Sequence, residues 1–151
     1  MSRAFVREPD GSEPPEPLPE RPVPPGPNPV TASGLARMEA ELARLLALSA
    51  PGPMEQRDLH YWRQRRASAQ LTAPPKGRAA GFGSWLTVAV QGAAPRRLRI
   101  VGEDEADPAA GLIGWRAPLA QALEGAEPGD EVEGPGGRIL IVMAVENDGA
   151  D

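Results

Sequence analysis

Ten of the chain's 19 prolines fall within residues 1–30, at positions 9, 14, 15, 17, 19, 22, 24, 25, 27 and 29. Each proline fixes φ and removes an N–H donor, so this segment can build neither a helix nor a central strand. It carries three Arg against five acids and few large apolar side chains. It reads as an extended, solvated arm with polyproline II character. Whatever folds must be built from residues 31–151, which leaves room for one small domain with an appendage.

The rest of the composition removes several kinds of chemistry. The chain has no cysteine, which excludes a disulfide scaffold, a thiolate zinc site, an iron–sulfur cluster and a cysteine nucleophile. No run approaches the roughly 18 apolar residues that cross a bilayer, and no charged-then-apolar leader is read at the start. The expectation is a soluble cytoplasmic protein that meets no membrane. His60 is the single histidine, with no second candidate ligand nearby and no Ser–His–acid set to join. No metal, cofactor or catalytic residue is assigned.

Charge is distributed unevenly. Residues 31–78 hold eight basic groups against four acids, and residues 79–151 hold five against twelve. A basic middle thus joins an acidic end, the pattern of two parts that face different surfaces of a partner.

The basic part reads as a helical hairpin over 31–71. Thr31 can cap a helix in which Leu35, Met38, Leu42 and Leu45 recur at heptad spacing. Pro51-Gly52-Pro53 stops it. A second helix, from about Glu55 to Leu71, carries a seam of Leu59, Trp62, Arg66 and Ala69. Two short helices joined by a tight turn pair antiparallel. Arg57, Arg63, Arg65 and Arg66 make the second helix basic, and either a solvated face or contact with phosphates accounts for that.

Residues 72–80 read as a linker, 81–147 as a compact α+β module and 148–151 as a tail. Trp85–Gln91 and Arg96–Val101 form a β-hairpin about Gly92–Pro95. Gly111–Trp115 is a further strand, and Pro118–Leu123 is a short helix with proline at its first position. Asp130–Glu133 and Arg138–Val145 complete one antiparallel sheet, the last strand apolar enough to be buried on both faces. Glu103, Asp104, Glu105 and Asp107 could hold Mg²⁺, but such a run is more often a solvated loop.

The stretch Arg99-Ile-Val101-Gly102-Glu-Asp104-Glu105-Ala-Asp107 resembles the signature of the bacterial Gre transcription elongation factors. Phe82-Gly83-Ser84, Leu112-Ile113, Pro118-Leu-Ala with Ala122-Leu123, Gly129-Asp130 and Pro135-Gly-Gly137 follow in register. Thr31, Gly34 and Leu35 resemble the start of the family's first helix, and Ala67-Ser-Ala-Gln-Leu71 the end of its second.

The resemblance implies an α+β protein: an N-terminal antiparallel coiled coil followed by an FKBP-like antiparallel sheet domain with one short helix. It implies docking on the β′ coiled coil of RNA polymerase at the secondary-channel rim, with Arg116, Pro118, Leu119, Ala122 and Leu123 in the polymerase-binding region. Arg116 and Ala117 depart from that region's usual acidic or amide residue and its serine.

The family's hairpin brings paired tip acids to the polymerase's catalytic Mg²⁺ and promotes cleavage of backtracked RNA. Here the tip is Ser49-Ala-Pro-Gly-Pro-Met54, the helices are about half the family's length, and Glu55 and Asp58 do not reproduce the pair. The expectation is a short-hairpin, Rnk-type channel regulator. It would be monomeric and not itself an enzyme, with weak or no cleavage stimulation and at most indirect contact with nucleic acid. The alternatives are a full cleavage factor, a peptidyl-prolyl isomerase built on the FKBP-like fold, and a direct nucleic-acid binder.

Overall fold

The protein is described here as a computed structural model covering residue 16 and residues 18–148. The reading of residues 1–15 and 17 as solvated arm, and of 149–151 as tail, lies outside the described residues.

The basic part begins one element earlier than the proline count suggests. Strand β1 (Asn28–Val30) pairs in parallel with β2 (Ala69–Leu71), and helices α1 (Ala32–Leu46) and α2 (Pro53–Ser68) lie between them. Pro29 is tolerated because a two-stranded sheet has only edges. Thr31 caps α1 as expected, its hydroxyl accepting the Gly34 N–H at 3.0 Å. Met38 and Leu45 are the buried positions of the expected seam.

Helix α2 departs from its expected form in two ways. It starts at Pro53, because proline at the first helical position loses no hydrogen bond, and it ends at Ser68, where Ala69 turns extended to enter β2. Its inward positions are Tyr61 and Arg65, four residues apart, rather than Leu59, Trp62, Arg66 and Ala69. An arginine went inside because partners wait for it there.

The acidic part is a five-stranded sheet in the order β5-β4-β3-β7-β6. Its strands are β3 (Trp85–Val90), β4 (Arg96–Val101), β5 (Leu112–Gly114), β6 (Glu131–Glu133) and β7 (Ile139–Glu146), with α3 (Pro118–Leu123) between β5 and β6. The expectation of an antiparallel sheet is corrected at one pair: β4 and β5 run parallel. The crossover between them, residues 102–111, carries two 3₁₀ turns, and this turn-rich connection is what positions the site below.

One face of the sheet packs on α3, with Leu86, Val88, Leu98, Ile100, Leu140 and Val142 against Ala120 and Leu123. A second correction concerns β7. It was expected to be buried on both faces, but Ile139, Ile141 and Met143 are 47%, 41% and 53% exposed while Leu140 and Val142 are inside. A continuous apolar run hid a period of two, because the outward residues are apolar as well.

Candidate functional site where an acidic turn meets the helices

After β4 the chain passes Gly102 into the 3₁₀ turn Glu103–Glu105, and three successive carboxylates leave for three different elements. Glu103 lies 2.8 Å from Arg116 and 3.6 Å from Arg65. Asp104 accepts the Tyr61 hydroxyl on one oxygen and Arg65 Nε, at 2.6 Å, on the other. Glu105 accepts the Thr31 hydroxyl at 2.5 Å and the Ser33 hydroxyl at 3.0 Å. The turn is therefore no solvated loop. It is a latch between the sheet and the base of the helices.

Arg65 is 1% exposed, and a charge taken so far out of water persists only where it is paired and hydrogen-bonded. Besides the two acids, its Nη2 donates to Asn28 Oδ1 at 2.8 Å, and Asn28 Nδ2 returns a bond to the Arg65 carbonyl at 2.9 Å. Burial, followed by the hydrogen bond and charge of Asp104, pushes the Tyr61 hydroxyl up to about 12, so it stays a donor.

Two glycines let the surfaces close. A Cβ on Gly102 would stand 2.7 Å from the Pro29 carbonyl oxygen, and one on Gly34 would stand 2.5 Å from Glu105 Oε2. Arg99, also buried, donates to the Gly83 carbonyl at 3.1 Å and to Ser33 at 3.3 Å. The signature residues Arg99, Val101, Gly102, Asp104 and Glu105 thus gather at one joint, whereas Asp107 is exposed.

The residues read as polymerase-binding are split. Arg116 and Pro118 are exposed, Leu119 and Ala122 are half-buried, and Leu123 is fully buried and serves the core. Leu119 lines an apolar groove of about 330 Å³ with Val88, Val90, Leu98 and Leu140, and Arg96 and Arg138 also line it. None of the residues lining this groove is aromatic.

The four arginines of α2 do not form one face either. Arg65 is inside the joint, and Arg66 meets Glu39 at 3.0 Å. Arg57 lies 3.7 Å from Asp58, and Arg63 is exposed. At the far end of the helices Leu46 and Met54 are 57% and 59% exposed, and no charged residue stands between Arg44 and Glu55.

Sequence reasoning missed Tyr61, Asn28 and Ser33. The one usable signal was the placement of Tyr61 and Arg65 at i and i+4, on one face of the helix.

Residues 75–147 match the family described as transcription elongation factor GreA/GreB, C-terminal. Transcription elongation factor GreB of Pasteurella multocida (strain Pm70) is 39% identical over 64 residues, which cover 41% of this chain and 40% of that protein. Transcription elongation factor GreA of Ruegeria pomeroyi is 29% identical over 141 residues, 73% of this chain and 90% of that protein. The chain thus spans about two fifths of the GreB relative and most of the more distant GreA. The crystal structure of GreA factor homolog 1 of Thermus thermophilus superposes with a TM-score of 0.41 at 18% identity, covering 80% of this chain and 99% of that one.

One expectation is corrected by these relatives. They carry the names transcription elongation factor GreA and GreB, and the description "not an enzyme" is withdrawn for a chain that resembles them.

Proposed function

We propose that the chain is a Gre-type protein through its C-terminal module, which matches the GreA/GreB C-terminal family over residues 75–147, and that it acts on bacterial RNA polymerase at the secondary channel. The observation that carries this reading is the match of residues 75–147 to the GreA/GreB C-terminal domain. In this reading the module is FKBP-like and docks on the β′ coiled coil at the channel rim. Pro118 and Arg116 present the contact, and the groove beside Leu119 receives an apolar side chain of the partner. The protein works in the cytoplasm as a monomer, and the exposed Arg63 is left for indirect contact with nucleic acid.

The short hairpin points to weak stimulation of transcript cleavage. Helices of 15 and 16 residues reach about 23 Å at a rise of about 1.5 Å per residue. The carboxylates nearest the tip are committed locally: Asp58 pairs with Arg21 and Arg57, and Glu55 sits in the first turn of α2. A carboxylate held away from a metal cannot share it.

The test is a binding measurement with bacterial core RNA polymerase, comparing wild type with Leu119→Asp and Pro118→Ala. The folding of both variants is checked by circular dichroism, and the same samples are assayed for cleavage of a backtracked complex. Binding that weakens in both variants, with slow cleavage by wild type, supports the reading. Absence of binding by folded wild type removes it.

A further inference from the structure

The proline-rich arm does not leave the molecule where α2 ends. Leu18 and Glu20 share a cleft with Pro53, Gln56 and His60 on α2. The Arg21 guanidinium lies 3.9 Å above the Tyr61 ring and 3.5 Å from Asp58. Four residues on, the Pro25 carbonyl accepts Arg116 Nη2 at 2.5 Å. Gly26 then takes φ +86°, and a Cβ there would stand 2.7 Å from the same Nη2. The chain next enters β1, where Asn28 meets Arg65. Residues 18–27 therefore run along α2 and end on the loop that opens α3.

Arg116 is held from three sides by its own chain: Glu103 at 2.8 Å, the Pro25 carbonyl, and the Trp115 ring at 4.9 Å. It stands two residues before Pro118, on the surface assigned above to the partner. A carbonyl is a weaker acceptor for a guanidinium than a carboxylate, so an acidic partner surface can outcompete Pro25 but must first displace the arm. The prolines at 22, 24, 25 and 27 restrict the free arm beforehand, which lowers the entropy lost when it lies down.

We propose that residues 18–27 are an intramolecular strap that occupies Arg116 and screens the start of α3 from an acidic protein surface, so that docking requires the strap to lift. This rests on the polymerase reading and adds regulation to the same surface. A strap closed about nine tenths of the time weakens apparent affinity about tenfold.

The experiment uses full-length chains: wild type, Arg21→Ala, which removes the stacking and the Asp58 pair, and Gly26→Ala, which crowds Arg116 Nη2. The ¹⁵N resonance of the Arg116 Nη2–H group, the donor to the Pro25 carbonyl, reports strap opening, and affinity for core RNA polymerase is measured on the same samples. A shifted resonance with about tenfold tighter binding in both variants supports the strap. A shifted resonance with unchanged or weaker binding overturns the screening, and an unshifted resonance in both variants overturns the strap itself. If no folded chain binds polymerase although the resonance shifts, the docking reading fails and takes the screening with it, while the intramolecular contact stands.

Discussion

Arg65 of α2 and Asp104 of the acidic turn meet at 2.6 Å inside the protein, and the hydroxyl of Tyr61 occupies the second Asp104 oxygen. The pair joins the helical part to the sheet part at a point where neither partner can be rehydrated without opening the joint. Asp104→Leu leaves the buried Arg65 guanidinium with only the 3.6 Å Glu103 pairing among its acids, and the expected loss is about 3–5 kcal/mol. Arg65→Met combined with Asp104→Leu removes both charges and should cost less than the sum of the single changes. Denaturant unfolding of the four proteins in the cycle measures the coupling, expected at about 0.5–3 kcal/mol. Additive losses would show that the two residues do not act as a pair.

Tyr61 gives the joint a pH dependence at the alkaline end. Its folded-state value, about 12, lies above the ordinary 10. The stability it contributes is therefore fully present below pH 10 and is lost as pH rises from 10 towards 12. Wild type should lose stability over that window, and Tyr61→Phe should lose less there. Phenolate absorbance during alkaline titration reports the ionisation directly. A tyrosine titrating near 10 in the folded protein would contradict the buried hydrogen bond to Asp104.

The sequence shows the five strands of the larger sheet, the turns and the cap at Thr31, because those are local choices of propensity, proline and glycine, but not the parallel pair β1 and β2 at the base of the helices. It does not show the joint. Glu103, Asp104 and Glu105 look like a solvated run, since their partners lie 13 to 74 residues away in the chain, and Arg65 looks like one of four surface arginines. Pairing charges across that separation is a tertiary fact with no period to betray it. The same limit hid the strap, whose prolines announce an extended chain but not the surface it lies on. The resemblance located the signature without giving its mechanical role, which appears only when Gly102 is seen to admit the Pro29 carbonyl.

The tip separates charge from reach. Replacing Ser49 and Ala50 by Asp and Glu restores an acidic pair on a turn that now lacks any charge between Arg44 and Glu55. Because each helix spans about 23 Å at a rise of about 1.5 Å per residue, the expected outcome is cleavage of a backtracked complex that stays close to the wild-type rate. Gel analysis of shortened transcripts measures it. Cleavage rising to the rate of a long-hairpin Gre factor would show that charge rather than reach was limiting.

Strand β7 tests one-sided burial within a single element. Leu140 is 6% exposed and packs in the core, whereas its neighbour Ile141 is 41% exposed on the opposite face and pairs across from Ala89 and Glu131. Leu140→Ala removes buried methyl groups and leaves a cavity, so the expected loss is about 2–5 kcal/mol. Ile141→Thr keeps the β-branch that suits a strand and removes little buried area, so a change within about 0.5 kcal/mol is expected. Thermal melting of the two variants side by side distinguishes the faces. Equal losses would mean that the outward face is covered in solution, for which Ile139, Ile141 and Met143 offer the continuous apolar surface. A concentration-dependent melting temperature would then identify a second copy of the chain as the cover.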